Sequence, residues 1–304
     1  MIETQVITHI DWQLVDIKII AGSVKILQNR IVKAKLAGRN RMVKKLQSLL
    51  VKSLNARILA VKRVSENRGK NTAGVDKKLL DTDVKKSQSV NDLRITIEQY
   101  RAMPLKRIKI PKKNGKKRPL GIPTMFDRSI QALYKLALEP IAETTADKNS
   151  YGFRPKRSTQ DAMKAVWLRT SRKVSGEWIL EADIKGCFDN ISHQWIYDNI
   201  PLDNRLLKQW LKSGFIKDDT LFFTKSGTPQ GGIISPILAN MVLDGIEEIV
   251  KSHCKRHQKI ENGVIIYRYN HHFNFVRYAD DFVVIGNKCK AFTRTSKRYR
   301  SLSL

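Results

Sequence analysis

Acidic residues are scarce in this chain. Its 304 residues include 28 Asp and Glu against 57 Lys and Arg, which gives a formal net charge of +29 at pH 7. A globular protein with such an excess of one sign is expected to bind a polyanion. The basic residues form no plain membrane-lying amphipathic helix, so the composition favours nucleic acid over a membrane surface as the partner.

Cysteine is also rare, and long apolar runs are absent. The three cysteines (Cys187, Cys254 and Cys289) are odd in number and have no framework spacing. This predicts reduced thiols in a reducing compartment rather than a secreted disulfide scaffold. No apolar segment approaches the length that spans a bilayer, and the N-terminus lacks the hydrophobic stretch of a secretory signal.

The patterned segments predict a mixture of helices and strands. Apolar residues at helical spacing indicate two helices between Trp12 and Val64, split near Gly38, with basic faces that offer a surface for RNA. Residues 105–111 alternate as a strand, Asn114-Gly115 is a hairpin turn signal, and residues 116–122 form the partner strand. Further helices are predicted over residues 91–100, 124–145, 158–172, 192–200, 201–213 and 237–253. The mixture lacks a regular βαβ rhythm, so we expect an α+β fold.

Two adjacent carboxylates stand between two apolar runs near the end of the chain. Residues 275–285 place Asp280 and Asp281 between segments rich in aromatic and β-branched residues, which predicts a hairpin with the acids at its tip. Taken alone, such a pair is more often a solvated turn. Two negative charges this close repel each other unless a cation lies between them.

A third acid ends another predicted strand. Asp183 ends the predominantly apolar strand predicted from Trp178, and we expect it to meet Asp280 and Asp281 if the two strands are neighbours in one sheet. Three convergent carboxylates suit a pair of Mg²⁺ ions, which prefer oxygen ligands. Two such ions activate an attacking hydroxyl and stabilise a leaving phosphate oxygen.

Five ordered blocks give the chain a family resemblance. Residues 181–189 read Glu-Ala-Asp-Ile-Lys-Gly-Cys-Phe-Asp and residues 278–281 read Tyr-Ala-Asp-Asp. The supporting blocks are 110–123, 149–155 (Asn-Ser-Tyr-Gly-Phe-Arg-Pro) and 227–236 (Gly-Thr-Pro-Gln-Gly-Gly-Ile-Ile-Ser-Pro). Together they resemble the reverse transcriptases, and more narrowly the group II intron-encoded reverse transcriptase/maturases.

The resemblance implies a right-hand polymerase fold with fingers and palm but no thumb. Its expected segments are an RNA-binding helical extension (1–100), fingers (101–175), a palm with the catalytic acids (176–286) and a disordered basic tail (287–304). It implies primer extension with dNTPs on an RNA template using two Mg²⁺ ions. Intron RNA and a DNA primer or target are the further partners. The expected location is the bacterial cytoplasm, or an organelle's stroma or matrix.

Roles for individual residues follow from the same resemblance. Asp183, Asp280 and Asp281 would hold the metals, and Lys112 and Arg118 would hold the nucleotide's phosphates. Phe188 would exclude a 2′-hydroxyl and Gln230 would shape the nucleotide pocket. Contacts to template or intron RNA would come from Lys62, Arg63 and Arg154.

Charge supports the phosphate contacts independently. Residues 101–118 contain nine Lys or Arg and no acid, whereas a merely soluble hairpin usually carries both signs. Core packing is the plain alternative for Phe188, and a helix-entry loop is the alternative for the Gly-rich block.

The resemblance is expected to stop after Ile285. Missing thumb and maturase segments would cost affinity and processivity, and the strand 282–285 would lie at an exposed sheet edge. Two further interpretations of the chain are an RNA-binding splicing cofactor without catalysis and an inactive remnant.

Overall fold

The structure is a computed structural model that describes residues 10–111, 115, 117–171, 176–252, 256–261, 264–269 and 273–286. Side chains within 256–269 are outside this description. The chain forms two compact units, one made of Met1–Thr144 with Ile191–Leu238 and the other of Thr145–Asn190 with Ala239–Leu304. Predictions for the tail 287–304 fall outside the described residues.

The described helices and strands agree with the predicted α+β class. The helices are α1 (Ile17–Leu36), α2 (Asn40–Lys52), α3 (Leu54–Glu66), α4 (Asp83–Asp92), α5 (Met125–Thr145), α6 (Thr159–Thr170), α7 (Cys187–Asn190), α8 (His193–Asn199), α9 (Asn204–Leu211), α10 (Ser235–Leu243) and α11 (Ile246–Ser252). The strands are β1 (Leu105–Pro111), β2 (Lys117–Ile122), β3 (Trp178–Asp183), β4 (Phe215–Lys217), β5 (Thr220–Phe222), β6 (Arg256–Glu261), β7 (Val264–Tyr269), β8 (Phe273–Tyr278) and β9 (Asp281–Gly286).

Three helices, not two, form the N-terminal part of the first unit. The predicted split at Gly38 is present, where the residue has a φ of +68°. A second break at Ser53 was not predicted, because nothing in the apolar spacing marks it. Ser53 is extended (φ −66°, ψ 133°), and buried residues such as Leu50 and Ile58 lie on either side of it.

The predicted helix over 91–100 is wrong. Asp92 ends α4 instead of starting a helix, and the start is capped by Thr82, whose Oγ1 accepts a hydrogen bond from Lys85 N at 3.3 Å. The many charges between residues 77 and 90 obscured this helix. Tyr100 lies in the following loop, where it is buried.

A four-stranded sheet in the first unit has the order β2-β1-β4-β5. Strands β1 and β2 form the predicted antiparallel hairpin, with Ile110 opposite Arg118. Helix α5 begins directly after β2. Its Asp127 accepts hydrogen bonds from Tyr100 Oη at 2.6 Å and from Thr124 Oγ1 at 2.7 Å, and burial raises the pKa of Asp127. This buried network fixes the junction between the sheet and α5.

The second unit contains a three-stranded antiparallel sheet with the order β3-β9-β8. Phe275, Phe282 and Val284 pack on one face with Val250 of α11, and Val276 packs on the other face with α6. The strand 282–285 is therefore central, so the predicted exposed edge there is wrong. The predicted helix 237–253 is also interrupted, because Gly245 adopts a φ of +97° between α10 and α11.

Among the described residues, no helix is both long and apolar enough to cross a membrane.

Candidate active site

The two adjacent acids lie at a tight hairpin turn, as their sequence context predicts. Tyr278 and Asp281 are paired across β8 and β9, which leaves Ala279 and Asp280 as the turn. Ala279 has a φ of +58°, a conformation that residues with a Cβ rarely adopt. The turn therefore depends on its surroundings to hold this shape.

Strand β3 brings the third acid to the same end of the sheet. Asp183 is directly opposite Asp281 in the antiparallel pairing of β3 with β9. Directly opposed residues have their side chains on one face of a sheet. The backbone of Ile184 also donates a hydrogen bond to the carbonyl of Asp280 at 3.3 Å. The fold thus gathers Asp183, Asp280 and Asp281 from distant parts of the sequence.

Burial and neighbouring charges disfavour the ionised form of Asp281. The pKa of Asp281 is raised, first by burial and then by Asp280, Asp183 and Glu181. Asp183 and Asp281 are exposed, so their carboxylates are accessible to solvent and ions. Burial, with further contributions from Asp280, Asp183 and Asp189, raises the pKa of the nearby Cys187 to about 11, so this thiol is protonated at neutral pH.

The donor chemistry of this cluster fits a hard divalent cation, since it consists of carboxylate oxygens whose mutual repulsion a cation relieves. In the part of the chain that the structure describes, no three His, Cys, Asp or Glu side chains are grouped to hold a metal ion as they stand.

Phe188 lies at the start of α7, close in sequence to Asp183. Its side chain is 9% exposed, and its ring meets that of Phe153 edge to face at a centroid distance of 6.4 Å. Phe153 is half exposed and has a φ of +59°. This placement is compatible with core packing and with an aromatic wall beside a ligand.

In the first unit, two residues predicted to contact the nucleotide are in direct contact. Arg118 Nε donates to Gln230 Oε1 at 2.9 Å, although 112 positions separate the two residues. The backbone carbonyl of Gln230 accepts from Gly121 N at 2.7 Å. A Cβ at Gly231 would overlap the carbonyl of Gly121, so glycine allows the loop to approach β2.

The Gly-rich loop is also held at both of its ends. His193 hydrogen-bonds through Nε2 to the carbonyl of Gly227 at 2.7 Å. Ile233 N donates to Gln131 Oε1 of α5 at 2.9 Å. Contacts with α5 and α8 therefore hold this loop in place, in addition to its connection to α10.

The residues predicted to contact RNA differ in their exposure and in the partners they already have. Lys62 pairs with Glu66 at 2.6 Å along α3, and Arg63 is exposed on the same helix. Arg154 is buried and donates to the carbonyls of Asp147 (2.7 Å) and Ser150 (3.0 Å), so a phosphate contact would require its loop to open. Lys112 lies outside the described residues.

A family model described as "Reverse transcriptase (RNA-dependent DNA polymerase)" matches residues 110–300. The chain belongs to the reverse transcriptase family. A second model, the N-terminal domain of reverse transcriptase, matches residues 12–93. The first match runs past Ile285, so the expectation that the resemblance ends there is wrong.

Curated relatives of this reverse transcriptase include intron-encoded proteins. It is 38% identical to the "Group II intron-encoded protein LtrA" of Lactococcus lactis over 63% of this chain and 33% of the relative. It is 32% identical to protein YkfC of Escherichia coli over 74% of this chain and 66% of the relative. A protein in a cob intron of Schizosaccharomyces pombe is 34% identical over 64% of this chain and 24% of its own length. The chain thus spans about a third of the length of LtrA.

Sequence reasoning missed a buried polar cluster behind the acidic turn of this reverse transcriptase. Arg277 is fully buried and contacts Asn240, Asp244 and Ala279. The signal was present in the sequence, since a charged residue inside the apolar strand before the acids requires a buried partner.

It also missed an aromatic surface on the sheet of the first unit. The rings of Phe215 and Phe222 stack at 5.2 Å, and the guanidinium of Arg107 lies 4.2 Å from the Phe215 ring centroid. Phe223, which follows β5, is 78% exposed. Exposed aromatic rings beside basic residues are typical of single-stranded nucleic-acid binding.

Proposed function

We propose that this chain carries the RNA-directed DNA polymerase activity of a group II intron, extending a primer 3′-hydroxyl with dNTPs on an RNA template. The observation that carries the proposal is the cross-strand register of Asp183 and Asp281 beside the turn residue Asp280. The similarity to LtrA, a group II intron-encoded protein, supports the link to introns.

Asp183, Asp280 and Asp281 would hold two Mg²⁺ ions. When bound, such ions lower the pKa of the attacking hydroxyl and offset the charge that develops on the phosphate oxygens. The protein's own contribution is to keep three carboxylates at one end of a rigid sheet. The exposure of Asp183 and Asp281 leaves that end accessible to a primer terminus.

Arg118 and Lys112 are proposed to hold the triphosphate of the incoming nucleotide. Arg118 is exposed, and its bond to Gln230 uses Nε. The terminal nitrogens of a guanidinium suit a forked contact with phosphate oxygens. In this proposal Gln230 orients Arg118 and also contacts the nucleotide.

Phe188 is proposed to select deoxynucleotides. An aromatic ring packed against the sugar leaves no room for a 2′-hydroxyl, the group that distinguishes the two kinds of substrate. Its edge-to-face contact with Phe153 supports a fixed ring orientation. Replacing Phe188 with Ala is expected to increase rNTP incorporation relative to dNTP incorporation, measured by competing the two substrates.

RNA contacts are assigned to Lys62, Arg63 and Arg154, with intron RNA, template RNA and a DNA primer or target as partners. The formal charge of +29 supports this assignment, because phosphate backbones dominate the affinity for nucleic acid. The proposed location is a bacterial cytoplasm or an organelle's matrix or stroma. The bacterial and yeast-intron relatives support both settings.

Primer extension on an RNA template tests the proposal. The variant Asp280→Asn is expected to abolish dNTP incorporation with Mg²⁺ while RNA affinity stays within twofold. Asp218→Asn is the matched control, since Asp218 is exposed in the β4–β5 turn, and it should extend the primer normally. Normal extension by Asp280→Asn would remove the metal assignment.

A second candidate is an RNA-binding splicing cofactor without polymerisation, favoured by the one-signed basic segment 101–118. Steeply salt-dependent binding to structured intron RNA, with no dNTP incorporated by the unaltered chain, would support it over the polymerase.

A further inference from the structure

A buried arginine lies two residues before the acidic turn. Arg277 is the penultimate residue of β8, and its side chain is 0% exposed. Its Nη1 donates to the Ala279 carbonyl at 3.2 Å and to Asn240 Oδ1 at 3.0 Å, while Nη2 donates to Asp244 Oδ1 at 2.8 Å. One guanidinium therefore connects the turn to the α10 helix and to the residue that follows it.

Asp244 is itself fixed in place. Its side chain is largely buried, and its Oδ1 also accepts a hydrogen bond from Asp147 N at 3.4 Å. The Asp147 carboxylate in turn accepts from Gly245 N and Glu247 N at 3.0 and 3.2 Å, at the start of α11. Removal of one partner from a buried ion pair leaves an uncompensated charge, so Arg277 and Asp244 depend on each other.

A backbone segment holds the turn from the same side. Tyr151 N donates to the carbonyl of Arg277, and Arg277 N donates to the carbonyl of Asn149, both at 2.9 Å. The next residue, Gly152, lies against Ala279 so closely that a Cβ would overlap its backbone. Asn240 Nδ2 donates to the Gly152 carbonyl at 2.8 Å, so Asn240 joins this segment to Arg277.

The turn needs such support for two reasons. Ala279 occupies the left-handed region with a φ of +58°, which neighbouring contacts must maintain. Asp280 and Asp281 also repel each other and Asp183, which favours opening of the turn when no cation is bound. The hydrogen bond from Arg277 to the Ala279 carbonyl acts directly on the peptide that precedes Asp280.

We propose that Arg277 is a positioning residue that, anchored by Asp244 and Asn240, holds the Ala279-Asp280 turn in the shape that binds divalent cations. The assignment rests on the proposed function for the role of the acids, but the effect on the turn itself does not. Arg277 acts through the backbone of the turn and contacts neither substrate nor metal.

The test compares Arg277→Lys with Arg128→Lys. Lysine keeps the buried charge beside Asp244 but cannot reproduce the forked donors. Arg128 is a matched control, because it is also buried and donates to backbone carbonyls, those of Pro123, Gly69 and Thr72, in the first unit. Both variants lose a guanidinium, but only one loses it at the turn.

Three readouts apply to the full chain. Hydrogen–deuterium exchange is expected to increase in a peptide covering residues 278–282 in Arg277→Lys and to stay unchanged there in Arg128→Lys. The affinity for Mn²⁺, measured from the electron paramagnetic resonance signal of the free ion, should fall about tenfold in Arg277→Lys only. In primer extension, the Mg²⁺ concentration for half-maximal rate should rise by a similar factor.

Unchanged exchange in the turn and unchanged Mn²⁺ affinity would overturn the proposal. If Arg277→Lys does not fold, Asn240→Ala is measured instead, since it removes the Asn240 contacts to Arg277 and Gly152, and the same outcomes apply. The two proposals fail separately. An active Asp280→Asn variant contradicts the polymerase assignment, whereas a turn that stays protected in Arg277→Lys contradicts the positioning role.

Discussion

Asp183 and Asp281 face each other as cross-strand neighbours in β3 and β9. A like-charged pair at directly opposed positions destabilises a sheet. The raised pKa of Asp281 reflects this repulsion in addition to burial. The pair therefore costs the sheet stability, and the proposed divalent cation would offset that cost.

This relationship predicts a metal-dependent gain in stability. The midpoint temperature of unfolding should rise with Mg²⁺ for the unaltered chain, because an ion that binds only the folded state stabilises it. Asp281→Asn should melt at or above the temperature of the unaltered chain in EDTA and should lose the Mg²⁺ response. Differential scanning calorimetry with and without Mg²⁺ checks both effects, and a full Mg²⁺ response in the variant would contradict the site.

Arg118 is predicted to act on nucleotide binding and not on folding. Arg118→Gln removes a charge-assisted contact worth about 1.5–3 kcal/mol, so the KM for dNTP should rise on the order of 10- to 100-fold. Lys117→Gln is the matched control, because it removes an equal charge from the neighbouring exposed position of β2. Steady-state primer extension gives both KM values. Equal increases in the two variants would show a general charge effect instead.

Gly152 is predicted to be intolerant of a methyl group. In Gly152→Ala the new Cβ overlaps the backbone of Ala279, so the turn must move, at a cost of about 1–3 kcal/mol. Gly22→Ala is the control, since no atom lies within 4 Å of a Cβ placed in this exposed part of α1. It should stabilise the helix by about 0.5–1 kcal/mol. Urea unfolding measures both, and primer extension should fall only in Gly152→Ala.

His193 is predicted to make stability fall in acid. Burial lowers its pKa below the ordinary value of 6.5, so the unfolded chain takes up a proton before the folded chain does. Stability due to His193 is therefore present above pH 6.5 and is lost as the pH falls below it. His193→Gln should lose stability less steeply between pH 7.5 and 5.5, as measured by urea unfolding at several pH values.

Asp244 titrates in an overlapping range with the opposite sign. Its pKa is raised to about 6, mainly by burial. Its contribution to the free energy of unfolding therefore increases as the pH falls from about 6 toward the ordinary pKa of an aspartate. The unaltered chain and His193→Gln both contain Asp244, so the difference between their pH profiles of stability is due to His193. Identical pH profiles would contradict the assignment.

Phe223 is predicted to bind bases of single-stranded RNA. Phe223 follows Phe222 in sequence and its ring is exposed, and stacking on an aromatic ring contributes about 1–3 kcal/mol per base. Phe223→Ala should weaken binding of a single-stranded oligonucleotide, measured by fluorescence anisotropy, without changing thermal stability. Met163→Ala, an exposed apolar change on α6 in the second unit, should bind as the unaltered chain does.

The sequence was most informative where local chemistry decides structure. The helix predicted from residue 158 is present as α6, which begins at a Ser158–Asp161 capping box, and the alternating residues of β1 and β2 form the predicted hairpin. The hairpin around Asp280 followed from its apolar flanks. These features depend on residues that are close in the chain, so the local sequence is enough to predict them.

Long-range features were harder to predict. The central position of β9 depends on β3 pairing with it from another part of the chain, which no local pattern specifies. The break at Ser53 and the interruption at Gly245 occur inside otherwise helical patterns. The contact between Arg118 and Gln230 joins segments 112 positions apart, and only the family resemblance suggested that they act together.

The interrupted layout of the second unit has a consequence for synthesis in the cell. Strand β3 leaves the ribosome well before its partner β9, with residues 191–238 of the other unit made in between. At roughly 5–20 residues per second, the wait lasts on the order of 5–20 s. During that time Leu180 and Ala182 lack the core cluster against which they pack in the folded unit, so the nascent segment exposes apolar surface that the finished sheet covers.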